Sequence, residues 1–434
     1  MKRIYGAFCC TAAVLVTIIM TNCAPVRAIS NNLSSPEYLF AWEFLDAFFL
    51  FRDNLPRNPL GFHSPAELYE SVNEPFTAYH TPQQASRILK ALGTSAAGLG
   101  VRLDSAQTGY AIREVFPNTP AQEAGLKEGD TLISINGKKT AGMPMRKVAE
   151  LLRGKRGDQK KLEVTRGEEH FDVAVAIDEF LAPSVFYDSL TPQIAYIFIS
   201  SFFTHTSAAG GTAEEFKRAL HESAWAKHTI LDLRDNPGGE IGQAVKVVSE
   251  FLKPGTPIVK AKERTLDPST AKGITVDTTW VSLDNLSSAV DRSFIVLMNG
   301  NTASASEFLI ASFNTHRPDI MTIGTKSYGK ARGQAVVITP DSGLSVVTFA
   351  LIIPIEGPSY DMIGIEPKVQ LKNSEDALDK AIEMAESHLT KASIGEEAHT
   401  PDNKISLLRD MYILQDRKPM AVKRIDFETT PRLE

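Results

Sequence analysis

FIVLMNGNTASASEFLIASF (residues 294–313) sets the pattern for the whole second half of the chain. Five apolar residues come first, then a corner of small and hydroxyl-bearing residues, then an apolar, helix-like run. An uninterrupted apolar run of this length suits a strand buried on both faces, and Asn, Thr and Ser at its end suit a helix start. HTILDLRDNPGG (228–239) followed by EIGQAVKVVSEFL (240–252) repeats the pattern, and DIMTIGT (319–325) runs as a strand into the loop KSYGKARGQ (326–334). QIAYIFISSF (193–202) adds a strand and GTAEEFKRALHESAW (211–225) a helix; AVVITP (335–340) and SVVTFALIIP (345–354) pair around a turn at Asp341, Ser342 and Gly343. Apolar strands alternating with helices predict an α/β core over residues 178–392, with ligand sites at the C-terminal ends of its strands.

Working outward, residues 29–92 read as helices. EYLFAWEFLDAFFLF (37–51) is aromatic enough to be buried or to meet a partner, and PAELYESV and TPQQASRILKAL carry proline and threonine start signals. From residue 93 to 177 the texture changes to short strands: GLGVRLD, TGYAIREVF, DTLISING, KKLEVTRG and HFDVAVAI, with helices in TPAQEAGL and MPMRKVAELLRG. Five strands and two helices make an α+β module, so the chain as a whole is an α/β and α+β multidomain protein. The module resembles a PDZ domain, through Gly98-Leu99-Gly100-Val101 and PAQEAGLKEGDTLISINGK. A glycine-rich turn leaves backbone N–H groups to converge on a carboxylate, and the neighbouring strand edge can take an extended peptide. The resemblance therefore implies a peptide C-terminus site at Gly98, Leu99, Gly100 and Val101. On their own, the same glycines would only make a tight turn.

The two ends of the chain differ from this interior. Lys2 and Arg3 precede an uncharged, mostly apolar run over 4–20, and Val26-Arg27-Ala28 places small residues at the -3 and -1 positions of a cut. That order predicts a secretory signal peptide over 1–28, hence an exported, periplasmic or otherwise extracytoplasmic protein. A retained membrane anchor is the competing reading; lipid attachment at Cys23 ranks below both because Asn22 precedes it. Cys9, Cys10 and Cys23 all precede the cut, so the mature chain is expected to have no disulfide, thiolate metal site or cysteine nucleophile. Losing 1–28 removes three basic residues and no acidic one from a chain whose net charge is already -6, and no basic stripe appears, which argues against a nucleic-acid partner. Residues 393–434 read as a polar, partly disordered tail.

Three strand ends combine small residues with a polar group: NPGG at 236–239, NTASASE at 301–307 and SYGKARGQ at 327–334. A serine at a strand-to-helix corner can project its hydroxyl beside free backbone N–H groups, which suits nucleophilic attack; it can equally be an N-cap. No G-x-S-x-G elbow is present; of the candidate bases His205, His221, His228 and His316, His221 and His228 read as lying near solvated helix faces and His316 in the polar loop NTHRPD. Lys330, between Gly329 and Gly333, could serve as a base if burial removes its proton, or could be an ordinary solvated lysine.

LDLRDNPGG, NGNTASASEFLIASF, SYGKARGQ and MIGIEPKV, in that order, resemble the successive motifs of the carboxyl-terminal processing peptidases, also called tail-specific proteases. The likeness spans about residues 60–390. It implies a ClpP/crotonase-like core and a serine endopeptidase with a Ser-Lys pair, acting on protein or peptide substrates with free C-termini, with no metal or other cofactor. It assigns Ser304 as nucleophile, Lys330 as base, Gln334 as the residue orienting the lysine, Gly239 and Ala305 as oxyanion donors, and Ser306 as a structural hydroxyl. Ala195 and Ala331 stand where the family usually has glycine, and the serine-to-lysine interval is one residue longer than expected. A non-catalytic peptide-binding or adaptor protein on the same scaffold is the alternative. Membrane association through an uncleaved N-terminus and a homo-oligomer both stay open.

Overall fold

The computed structural model describes residues 35–92, 95–284, 288–372 and 377–392. The signal segment 1–28, all three cysteines and the tail 393–434 lie outside the described residues.

A six-stranded sheet organises the core, in the order Val185–Thr191, Ile194–Ile199, His228–Asp232, Ser293–Met298, Met321–Gly324 and Val369–Gln370. The first pair is antiparallel and every later pair parallel, with Tyr196, Ile230, Ile295 and Met321 side by side. Both faces are covered, which is why these strands read as continuous apolar runs. Ile197, Leu231, Val296 and Met298 pack under Phe216, Val247, Phe308 and Phe313 from the helices Thr212–Glu222, Ile241–Ser249 and Ala305–His316. On the opposite face Tyr196, Ile230, Ile295 and Leu297 meet Ala377, Ala381 and Ala385 of the helix Ala377–Ala392.

A second sheet joins Ala78–His80, Leu344–Pro354, Pro257–Leu266 and Gly273–Val281, with Arg332–Ile338 also paired to Leu344–Pro354. The helix Pro36–Phe48 lies against it. Tyr38, Ala41, Leu45 and Phe49 share a core with Val347, so the aromatic N-terminal run is buried inside the molecule. Residues 35–92 are helical at Pro36–Phe48, Pro65–Ser71 and Pro82–Leu92, but the strand Ala78–His80 interrupts them and ties the segment to the core.

The PDZ-like sheet runs Val101–Ala106, Gly109–Val115, Thr131–Ile135, Gln159–Arg166 and Glu169–Ala176 around Leu103, Ile112, Leu132, Val148 and Val164. GLGVRLD is two strands rather than one. Ser95–Gly98 pairs with Asp178–Leu181, so the chain entering the module hydrogen-bonds to the chain leaving it. Gly100 then turns at a φ of +82°, where a Cβ would collide with Thr119, and Val101 opens the next strand. Arg113 bridges Asp104 at 3.0 Å and Asp188 of the core at 2.5 Å.

Candidate active site

Because His228–Asp232, Ser293–Met298 and Met321–Gly324 are adjacent and parallel, the loops that follow them emerge at one edge of the sheet. Those loops are the three polar stretches singled out in the sequence.

Asn236 staples the first loop to the second. Its buried side chain donates to Ile199 O at 2.9 Å and accepts from Gly238 N at 2.9 Å, while its carbonyl accepts from Ala303 N at 3.0 Å and Ser306 Oγ at 3.2 Å. Ser306 is fully buried and spends its hydroxyl on that bond. Ser304 is half-buried and sits at φ +55°, ψ -115°, immediately before the helix Ala305–His316. A positive φ on a non-glycine residue is strained and is seen where a side chain must be presented at a sharp corner. Glycines flank the serine in the usual nucleophile elbow. Here the small neighbour comes from the first loop: a Cβ on Gly238 would lie 2.7 Å from Ser304 Cβ and 2.8 Å from Ala305 N. Gly239, at φ +134°, is exposed, and a Cβ there would run into Phe202 O. Among the described residues neither Gly239 N–H nor Ala305 N–H has a protein acceptor.

The third loop brings Lys330. Gly329, at φ +97°, passes so close to the 362–364 backbone that a Cβ would lie 2.7 Å from Gly364 N, and Met362 N donates to Gly329 O at 2.7 Å. This packing ties the MIGIEP segment to the lysine loop. Lys330 keeps some side-chain surface at the site opening. The protein crowded around it nonetheless excludes enough water to pull its ammonium down to about 8, against the opposing pull of Glu74 and Glu307. Ala331 is buried and Ala195 lies inside a strand; neither has a positive φ, so both alanines are accommodated.

Glu307 holds the arrangement together. Its fully buried carboxylate accepts from Ser304 N at 2.9 Å and Lys330 N at 2.7 Å on Oε2, and from Gly329 N and Ser327 Oγ at 2.6 Å each on Oε1. One oxygen thus bridges the backbones of the serine and the lysine. Burial raises its pKa while the four donors oppose that shift. In sequence Glu307 is only the fourth residue of Ser-Ala-Ser-Glu; its position three residues after Ser304 reads as a capping box, which was its one signal. Glu74 and Phe76 also face the lysine, with Arg332 against the same Phe76 ring, and none of the three carried a sequence signal.

Ser304, Ala305, Gly239 and Lys330 therefore share one site. Gln334 lies on the strand leaving the lysine loop, and its Nε2 donates to Arg332 O at 3.0 Å; among the described residues it makes no hydrogen bond to Lys330. Nor is there a hydrogen bond from Lys330 Nζ to Ser304. His228 pairs with Ser293 on a strand, and His316 ends the helix Ala305–His316 rather than lying in a loop. Among the described residues no three His, Cys, Asp or Glu side chains are placed to hold a metal ion. Gly98 ends the strand Ser95–Gly98, and Leu99 and Gly100 lead into Val101–Ala106; among the described residues no strand pairs with the outer edge of Val101–Ala106, and the carbonyls of Leu99 and Gly100 are engaged by Ala121 N and Phe116 N.

Residues 193–371, which carry all three loops, match the profile of peptidase family S41, and residues 112–166 match the PDZ domain. The chain is 28% identical over 306 residues to the carboxy-terminal processing protease CtpA of Bacillus subtilis (strain 168), covering 70% of this chain and 62% of that protein. A probable CtpA-like serine protease of Staphylococcus epidermidis (strain ATCC 35984) is 26% identical over 308 residues, 70% of this chain and 59% of its own length. The chain thus spans about six-tenths of the curated relatives it matches. A crystal structure of a putative S41 protease from Bacteroides fragilis shares the fold with a TM-score of 0.50 at 17% identity, over 84% of this chain and 100% of that one.

Proposed function

We propose that this protein is a serine endopeptidase of the carboxyl-terminal processing type, with Ser304 as nucleophile and Lys330 as general base. The observation that carries the proposal is the Glu307 carboxylate joining the backbones of Ser304 and Lys330, beside a lysine whose ammonium is pulled down to about 8. Neutral Lys330 takes the Ser304 proton as Oγ attacks the scissile carbonyl. Gly239 N–H and Ala305 N–H receive the developing oxyanion, the amine leaves with a proton from Lys330, and water then releases the acyl-enzyme. Each oxyanion donor contributes on the order of 3 kcal/mol to the barrier reduction. The family's orienting role for Gln334 requires its side chain to leave Arg332 O for Lys330. The PDZ module takes the substrate's C-terminus along the free edge of Val101–Ala106, with Gly98 to Val101 around the carboxylate. The enzyme works outside the cytoplasm, freed by cleavage after Ala28 or held at the membrane by a retained N-terminus, and a homo-oligomer is compatible with this reading.

Two expectations follow directly. Lys330 must be neutral to act, so the rate of cleavage of an unfolded polypeptide rises with pH through a midpoint near the lysine value of about 8; a flat profile between pH 6 and 10 would refute the lysine base. Gly238→Ala pushes a Cβ against Ser304 and Ala305, at a φ of +99° that alanine resists. A displacement of the nucleophile by about 1 Å costs on the order of 10²-fold in kcat, measurable in the same cleavage assay. Purified Ser304→Ala that still cleaves at the wild-type rate would refute Ser304 as nucleophile, and a C-terminal peptide that binds the wild type yet survives long incubation would return the protein to the adaptor reading.

A further inference from the structure

The wall over the lysine comes from the far N-terminal segment. After the helix Pro65–Ser71 the chain turns through 72–77 and enters the strand Ala78–His80, which pairs with Leu344–Pro354. Glu74, buried in this turn, accepts from Arg332 NH1 at 2.8 Å, Thr348 Oγ1 at 2.7 Å and Phe76 N at 3.2 Å. Thr77 Oγ1 in turn accepts from Thr348 N at 3.0 Å. The turn is therefore fixed to two strands, Arg332–Ile338 and Leu344–Pro354, and it presents the Phe76 ring to two cations: Lys330 Nζ at 5.3 Å and Arg332 Cζ at 5.7 Å from the centroid. Arg332 is balanced by Asp361, which accepts from its Nε and NH2 at 2.8–3.0 Å.

We propose that Phe76, locked by Glu74, is a positioning residue that caps the Lys330 amine and sets the pH at which it becomes a base. The proposal rests on the Ser-Lys reading above. The groups facing the lysine act in opposite senses. Burial by Phe76 and the surrounding chain favours the neutral amine; Arg332, on the same ring, is neutralised by Glu74 and Asp361. The negative face of the Phe76 ring, with the carboxylates of Glu74 and Glu307, favours the ammonium. Phe76 thus plays two separable parts, a water-excluding wall and a π-face for the cation, and side chains of different size separate them.

The test is the rate at which a fluorophosphonate probe phosphonylates Ser304 as a function of pH. The probe loses fluoride as Oγ bonds to phosphorus, and the hydroxyl proton passes to Lys330, so the rate follows the neutral lysine fraction. Phe76→Leu keeps an apolar wall and removes the π-face, so the midpoint moves to lower pH by roughly half a unit. Phe76→Ala opens the wall to water, and the midpoint moves up by about one unit or more toward the free lysine value. Glu74→Gln moves it down, as Phe76→Leu does. If Phe76→Ala does not fold, as judged by its melting curve, Phe76→Leu and Glu74→Gln still decide the sign. A merely structural wall would lower the rate at every pH and leave the midpoint in place, and that result would overturn the inference. If Lys330→Ala is labelled as fast as wild type, the Ser-Lys reading itself fails. Should labelling need Lys330 while the midpoint ignores positions 74 and 76, this inference alone is lost.

Discussion

Ser304→Ala is expected to lower cleavage of an unfolded polypeptide by roughly 10⁴-fold or more, and Lys330→Ala to do about the same, because the two residues act as one unit. Neither loss comes from unfolding. Alanine at 304 keeps the backbone and the contact with Gly238, and among the described residues Lys330 Nζ has no hydrogen bond or ion pair. The double variant should be no slower than either single variant, the signature of groups sharing one step. Ser304→Gly adds a sharper expectation. At φ +55° and ψ -115° the serine backbone is strained, and glycine adopts such conformations more readily. Ser304→Gly should therefore be as inactive as Ser304→Ala yet more stable by about 1 kcal/mol, read from urea unfolding. A gain of that sign would mean the fold accepts strain at this residue in order to present its hydroxyl.

Glu307→Ala is the second large effect, and here activity and stability fall together. The substitution leaves the N–H groups of Ser304, Gly329 and Lys330 and the Ser327 hydroxyl without their buried acceptor. An unsatisfied buried group costs about 1–3 kcal/mol, so a total loss of at least about 3 kcal/mol is expected even if water relieves part of it. The serine corner and the lysine loop also lose the oxygen that fixes their separation, and a shift of about 1 Å between them costs on the order of 10²-fold in rate. Glu307→Gln preserves the volume but turns an NH₂ toward two of the four donors, so it should fall between wild type and alanine in both urea midpoint and kcat. A Glu307→Ala protein with wild-type stability and rate would remove this residue from the site.

How much of this was legible depended on the range over which each interaction acts. The runs 228–233 and 293–298 announced strands covered on both faces because local apolar continuity is enough to do so, and the parallel neighbours brought NPGG, NTASAS and SYGK to one edge. The strands Pro257–Leu266 and Gly273–Val281 were not read at all. KAKERT is charged and half-exposed, and it becomes a strand through pairing with Leu344–Pro354 and Gly273–Val281. The break in GLGVRLD was equally hidden, because Ser95–Gly98 is a strand only by virtue of residues 178–181. Within the site, Ser304 and Lys330 stood at suspect positions in the sequence. Glu307 was not singled out, since its reach to the 327–330 loop exists only after folding. Glu74 and Phe76 were beyond any local reading, being more than 250 residues from the lysine they cover.

The most direct measurement of the central claim is the site and rate of covalent capture. Wild-type protein and Lys330→Ala are each treated with the fluorophosphonate at pH 9, digested, and mapped by mass spectrometry. The proposed chemistry predicts a single adduct on Ser304 in the wild type and labelling of Lys330→Ala slower by roughly 10³-fold or more. An adduct on Ser306 or another residue, or equal labelling of the two proteins, would contradict it.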